Sequence, residues 1–151
     1  MTGKTHAICG TVTMLAITAV SFRGLPIDGH TYLPAVGLLS VAAGSYMPDI
    51  DLHRSKMGQR HKFISKHLTH RGNTHTLLFP VIFIFPIMGF NVGWVVHILA
   101  DLCNRKGVPL LWPLYRRRVH IAAFLTSTWH EYVFIILWLG VNVACVFFLL
   151  R

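Results

Sequence analysis

Five apolar blocks punctuate this chain, and the polar residues between them gather in a few short stretches. Residues 7–22, 33–47, 77–90, 92–103 and 132–150 contain no Lys, Arg or Glu, and Asp101 is their only acid. A hydrocarbon core about 30 Å thick needs about 20 helical residues. Block 132–150 meets that outright, and block 7–22 meets it with its flanks. Blocks 77–90 and 92–103 are each short, so they form either a tight hairpin through the membrane or one bent helix. The pattern predicts an all-α, polytopic membrane helical bundle of four or five transmembrane segments. Residues 1–151 then make a single integral membrane domain.

Punctuation refines these elements. In the first segment Gly10, Ala16 and Ala19 are small enough for close helix packing. Pro48 ends the second, and the residue before a proline avoids helical dihedrals, which predicts an extended turn. Asp49 and Asp51 would then point the same way, as side chains two apart do in extended chain. Asn73 or Thr74 is the expected N-cap of segment three, placing His75 in its first turn. Pro80 and Pro86 bend that segment, and Gly89 with Asn91 marks a reversal. In segment four His97 and Asp101 are four apart and share a helix face. The last segment begins near Trp129, His130 and Glu131.

Composition and charge sharpen the class. Hydrophobic residues make up 54% and charged residues 13%, and the mean hydropathy is +0.55, which excludes an ordinary soluble domain. The net charge of +9 is not a nucleic-acid signature, because 12 of the 14 Lys and Arg residues fall on one side of the spans. They comprise Lys4, the cations between Arg54 and Arg71, and those between Arg105 and Arg118. The positive-inside rule makes that side cytoplasmic, together with the N-terminus. Gly29 and Arg151 lie outside. Membrane lipids are the expected partners, since the polybasic stretch 53–69 attracts anionic headgroups by about 1 kcal/mol per cation. No specific nucleic-acid partner is expected, and the oligomeric state has no signature here. Cys9, Cys103 and Cys145 sit in apolar blocks without a C-x-x-C pair and read as packing residues. The start of the chain has no small-residue cleavage site after its apolar stretch, so an uncleaved anchor is expected.

On this topology the polar residues converge. His6 opens segment one, Asp49 and Asp51 close segment two, and His70 and His75 open segment three. His97 and Asp101 close segment four, and Glu131 opens segment five. All lie at cytoplasmic helix ends. Ionisable residues within apolar segments face the bundle interior and mark function. Imidazole and carboxylate without thiolate suit zinc, with manganese or iron as alternatives, and carboxylate-rich sites often hold two or more ions. The expected ligands are His6, Asp49, Asp51, His70, His75, His97 and Asp101, with His6 either a ligand or a group behind the ligands. Asp49, Asp51, His75 and Asp101 are the expected catalytic residues, and Arg54 and Arg71 would hold an anionic substrate. His53, His61 and His67 read as solvated loop residues, as do Asp28 and His30 on the outer side. His120, His130 and Glu131 carry no assigned role.

Three boxes, Pro48-Asp49-Ile50-Asp51, His70-Arg71-Gly72-Asn73-Thr74-His75 and His97 with Asp101, together with His6, Gly107, Trp112 and Pro113, resemble the YdjM-like family. The resemblance covers residues 5–113, with Thr76 where that family usually has Ser. It implies a bacterial inner-membrane, metal-dependent hydrolase. The order of ligands is also similar to zinc-dependent phospholipase C and its nuclease relatives, although their second H-x-x-x-E box is absent. The leading expectation is a multi-pass hydrolase at the cytoplasmic membrane face, acting on a phosphoester of a lipid or lipid-linked substrate. Its divalent ions would activate water and polarise a phosphoryl or acyl oxygen. The alternative is a metal-binding membrane transporter or structural membrane protein without catalysis.

Overall fold

The computed structural model describes residues 1–21, 32–68, 71–82, 88–122 and 124–151. Four longer helices carry the architecture: α1 (Gly3–Ser21), α2 (Tyr32–Tyr46), α6 (Met88–Leu102) and α7 (Trp129–Leu150). Between them lie α3 (Lys56–Arg60), α4 (Lys62–His67) and α5 (Leu78–Ile82), with 3-10 turns at Pro48–Asp51 and Asn73–His75. Among the described residues the fold is all-α. Two isolated bridges, Asn104 to Phe124 and Val108 to Val119, tie together the loop between α6 and α7.

Helix α6 organises the packing because three of its faces do different work. Val96 and Ala100 enter one core with Cys9 and Phe134. Trp94, Ile98 and Leu102 enter a second core with Val108. The third stripe, Gly93, His97 and Asp101, carries the polar residues at four-residue spacing. A methyl group on Gly93 would overlap the Val41 carbonyl, and one on Gly44 would overlap the Phe90 carbonyl. Those absent side chains let α2 and α6 approach backbone to backbone. Gly10 of α1 likewise lies against Ser45 and Val41, as its size led us to expect.

Three local expectations are corrected. Met47 remains helical (φ −63°, ψ −41°), and Pro48–Asp51 tightens into a 3-10 turn instead of extending. Proline fits there because a first-turn residue needs no amide hydrogen. Side chains two apart in a 3-10 turn diverge, so Asp49 and Asp51 do not point the same way. Gly89 and Asn91 do not reverse the chain, since both lie inside α6. Gly89 is needed there for closeness to the Gly37 carbonyl, not for a turn. His75 belongs to a 3-10 turn ahead of α5, and the Thr74 hydroxyl donates to Asp51 rather than capping a helix.

Helix α7 spans 22 residues, about 33 Å at about 1.5 Å per residue, enough for the hydrocarbon core. Its most apolar window has a mean hydropathy of 2.7 and is only 6% buried. Among the described residues α7 alone is both long enough and apolar enough to cross a membrane, while residues 89–102 form a shorter apolar helix. Helix α1 packs against α7, and the Trp138 Nε1–H donates to Thr13 Oγ1 at 3.0 Å. Away from the His6 end, a groove of about 650 Å³ between these helices is lined by aliphatic residues such as Val12, Leu15, Leu139 and Val146.

Candidate metal centre

The start of α1, the ends of α2 and α6 and the start of α7 meet at one place. His6, Asp51, His75, His97 and Asp101 are buried there, with Asp49 at the edge. Two sets of side chains bring ligand atoms within 4.8 Å of one another: His6, His97 and Asp101, and Asp49, His75 and His97. Sequence convergence at helix ends thus becomes spatial convergence.

Hydrogen bonding fixes which nitrogens face inward. His97 Nδ1 lies 2.7 Å from the Ser45 carbonyl, which can only accept, so Nδ1 carries the hydrogen. That carbonyl is in the last turn of α2, where helix carbonyls lack internal partners. His75 Nδ1 lies 3.1 Å from Thr74 Oγ1 and 3.3 Å from Asp51 Oδ2. The Thr74 hydroxyl is itself committed to Asp51 at 2.6 Å, so His75 Nδ1 is the donor. Both rings therefore turn Nε2 toward the cluster, and these two atoms are 3.3 Å apart. Two imidazole lone pairs at that distance repel unless a proton or a metal ion lies between them.

The carboxylates complete the arrangement. Asp101 Oδ1 lies 3.4 Å from His6 Nε2, and Asp101 Oδ2 lies 3.5 Å from His75 Nε2. Asp49 Oδ1 is 3.8 Å from His97 Nε2. Ligands about 2.0–2.1 Å from a tetrahedral zinc stand about 3.4 Å from each other, so this spacing fits an ion. His6 stacks on His97 with centroids 3.7 Å apart; its Nε2 faces Asp101, and its Nδ1 is buried without a hydrogen-bond partner among the described residues. A buried ring nitrogen with no partner is costly, and ligation would satisfy it. Carboxylate-to-histidine bonding, as between Asp51 and His75, is the usual way a ligating ring is oriented.

Charge within the cluster follows the same logic. Burial pulls the His75 pKa down, but hydrogen bonds and charge from Asp101 and Asp51 outweigh it and hold it above the ordinary histidine value. Burial raises the Asp49 carboxyl above its usual range, partly opposed by His6 and His75.

The expected site residues therefore separate by position. His6, Asp49, His75, His97 and Asp101 come together as potential ligands, and Asp51 sits behind His75 and steers it. His70 lies outside the described residues. Arg54 is exposed and apart from the cluster. Arg71 is buried, with Nη2 2.9 Å from Asp101 Oδ2 and Nη1 donating to the Gly107 carbonyl at 3.1 Å. Its guanidinium is spent inside the protein rather than offered to a substrate. Arg71 also adopts a left-handed backbone (φ 56°), and its amide donates to Asp51 Oδ2.

Two contacts escaped sequence reasoning. The Met1 amino group donates to Asp101 Oδ1 at 2.8 Å, and the Thr2 amide donates to Glu131 Oε1 at 2.7 Å. Glu131 thus holds the chain's first residues over the cluster. Its isolation as the one acid of a long apolar helix was the available signal. His53, His120 and His130 stay apart, with His130 stacked on Trp129.

Comparison with known proteins identifies relatives of this chain. Part of the chain is 41% identical to the inner membrane protein YdjM of Escherichia coli (strain K12), with 44% of each chain covered. The match to YdjM of Shigella flexneri has the same identity and extent. The chain thus covers under half the length of these two relatives. It is 31% identical to YvsG, an uncharacterized protein of Bacillus subtilis (strain 168), over 75% of this chain and 74% of that one. No solved structure matches. The family model described as YdjM inner membrane protein matches residues 1–150, and the chain belongs to that family.

Proposed function

We propose that this bacterial inner-membrane protein is a metal-dependent hydrolase acting at the cytoplasmic face on a phosphoester of a lipid or lipid-linked substrate. One observation carries the reading. His75 and His97 turn Nε2 toward each other at 3.3 Å inside a shell of three aspartates, an arrangement that asks for a shared cation. Zinc suits the donors best, with manganese or iron next. His6, Asp49, His75, His97 and Asp101 would hold the ion or ions, with His97 common to both ligand sets.

A divalent ion held here supplies Lewis acidity and lowers the pKa of water. The chain's own residues supply the rest. Asp51 and the Ser45 carbonyl orient the two rings. Arg71 holds Asp101 and offsets its buried charge. Asp49, at the edge, is the carboxylate that a reacting group meets first.

The topology belongs to the same proposal. Helix α7 crosses the membrane, and α1, α2, α6 and the segment around residues 77–90 complete four or five spans. The cation-rich loops and the N-terminus are cytoplasmic, which sets the cluster at headgroup depth. A transport route would distribute polar groups along the spans, and the gathering at one end favours hydrolysis over transport. The test is release of phosphate or a phospho-headgroup from a panel of membrane lipids by purified protein, with and without chelator and added zinc or manganese. Activity abolished by chelation and by Asp49→Ala is expected. Metal-loaded protein that is inactive on every phosphoester, with Asp49→Ala indistinguishable from it, would leave a non-catalytic metal protein.

A further inference from the structure

A cleft of about 500 Å³ opens beside the cluster, within the range of about 300–1,000 Å³ usual for small-molecule sites. Its walls include Gly3, Lys4, Tyr46, Asp49, Lys56 and Met57. We propose that this cleft binds the phosphate-bearing end of an amphiphile, with Lys4 and Lys56 taking the phosphate while Tyr46 and Met57 hold the apolar body. This rests on the hydrolase reading for the fate of the bound phosphate.

Exposure gives the first reason. The Asp49 side chain is 12% exposed, whereas those of His75 and His97 are 0% and that of Asp101 is 3%. The only one of these four with appreciable access to the outside is also the one lining the cleft. A molecule reaching the cluster from this side must pass through it.

Charge gives the second. Lys4 and Lys56 are exposed cations from separate elements, the start of α1 and the start of α3, and both line this one cleft. The Asp49 carboxylate in the lining would repel an anion, and the two lysines beside it reverse that. Each can donate charge-assisted hydrogen bonds to phosphate oxygens. Arg54 and Arg71, the cations expected from sequence to hold substrate, are not part of the lining.

Shape gives the third. A methyl group on Gly3 would come within 3.0 Å of the Tyr46 ring and 3.8 Å of Asp49 Oδ2. A side chain at position 3 would therefore narrow the passage between the tyrosine and the carboxylate. The apolar lining suits a ligand that is more than an ion, and the setting at the membrane surface suits a lipid.

The experiment uses the full chain in phosphatidylcholine nanodiscs, with dihexanoylphosphatidic acid, inorganic phosphate and dihexanoylphosphatidylcholine as probes and metal content measured throughout. Dihexanoylphosphatidic acid is expected to bind more tightly than either other probe. The Lys4→Ala/Lys56→Ala double variant should weaken it about tenfold or more, the scale of losing two bonds to charged groups. Gly3→Val should weaken it with metal content unchanged. Arg118→Ala, which removes one exposed cation elsewhere, should do nothing. Equal binding of inorganic phosphate would mean a site for the free ion and overturn the amphiphile. A double variant no weaker than Arg118→Ala would overturn the cleft itself. Normal binding without turnover would instead sink the hydrolase reading and leave the cleft standing.

Discussion

Helices α6 and α7 are both apolar nearly all round, yet they meet opposite surroundings. Helix α6 is buried along Trp94, Val96, Ile98 and Ala100, and it carries His97 and Asp101 into the protein. Helix α7 leaves Tyr132, Ile136, Val143, Phe147 and Phe148 each at least 60% exposed. An all-apolar helix is buried either in protein or in lipid, and these two divide the choice. Polar residues follow the same division. On α6 they point at neighbours that neutralise them, and on α7 the one acid sits at the end, where it holds the Thr2 amide. Hydrophobicity alone therefore does not say whether a helix is covered by the rest of the protein; the glycines and the ionisable residues do.

The largest expected break in that contrast is Asp101→Ala. It strands the Arg71 guanidinium and the Met1 amino group in the buried cluster, and breaking a buried pair costs about 3–5 kcal/mol. Thermal unfolding followed by near-ultraviolet dichroism should show a large loss of stability, and an unchanged transition would remove Asp101 from the centre of the cluster. Next comes a matched pair of glycines. Gly93→Ala drives a methyl into the Val41 carbonyl, and overpacking costs about 1–3 kcal/mol. Gly140→Ala on α7 meets nothing within 4 Å and should be neutral or stabilising by up to about 1 kcal/mol. Equal effects of the two substitutions would erase the distinction between a protein-facing and a lipid-facing helix. The smallest effect is Trp138→Phe, which removes the bond to Thr13 and trims a partly buried ring, and should cost about 0.5–1.5 kcal/mol by the same unfolding measurement.

Much of the centre was legible in the sequence because polar residues confined to helix ends must gather where those ends gather. His6, Asp49, His75, His97 and Asp101 follow from that rule, and the long apolar run 132–150 follows from its length. The turn at Pro48 was misread because the bias against helix before proline is local, and the packing of the turn overrode it. The beginning of α6 was misread because Gly89 looks like punctuation until the α2 backbone is beside it. Arg71 looked like a substrate anchor, since nothing in its neighbours reveals that Asp101 and Gly107, distant in sequence, take its guanidinium. The division of labour between Asp49 and Asp51 likewise arises only once the chain is folded.

The most direct test of the centre is elemental analysis of the protein purified from cells without added metal, alongside His97→Ala, Asp49→Ala and His120→Ala. Stoichiometric zinc, manganese or iron is expected in the wild type and in His120→Ala, with His97→Ala depleted and Asp49→Ala reduced. Folded wild-type protein that holds no divalent ion and takes none up on addition, or a His97→Ala variant with full metal content, would contradict a metal centre built on these histidines.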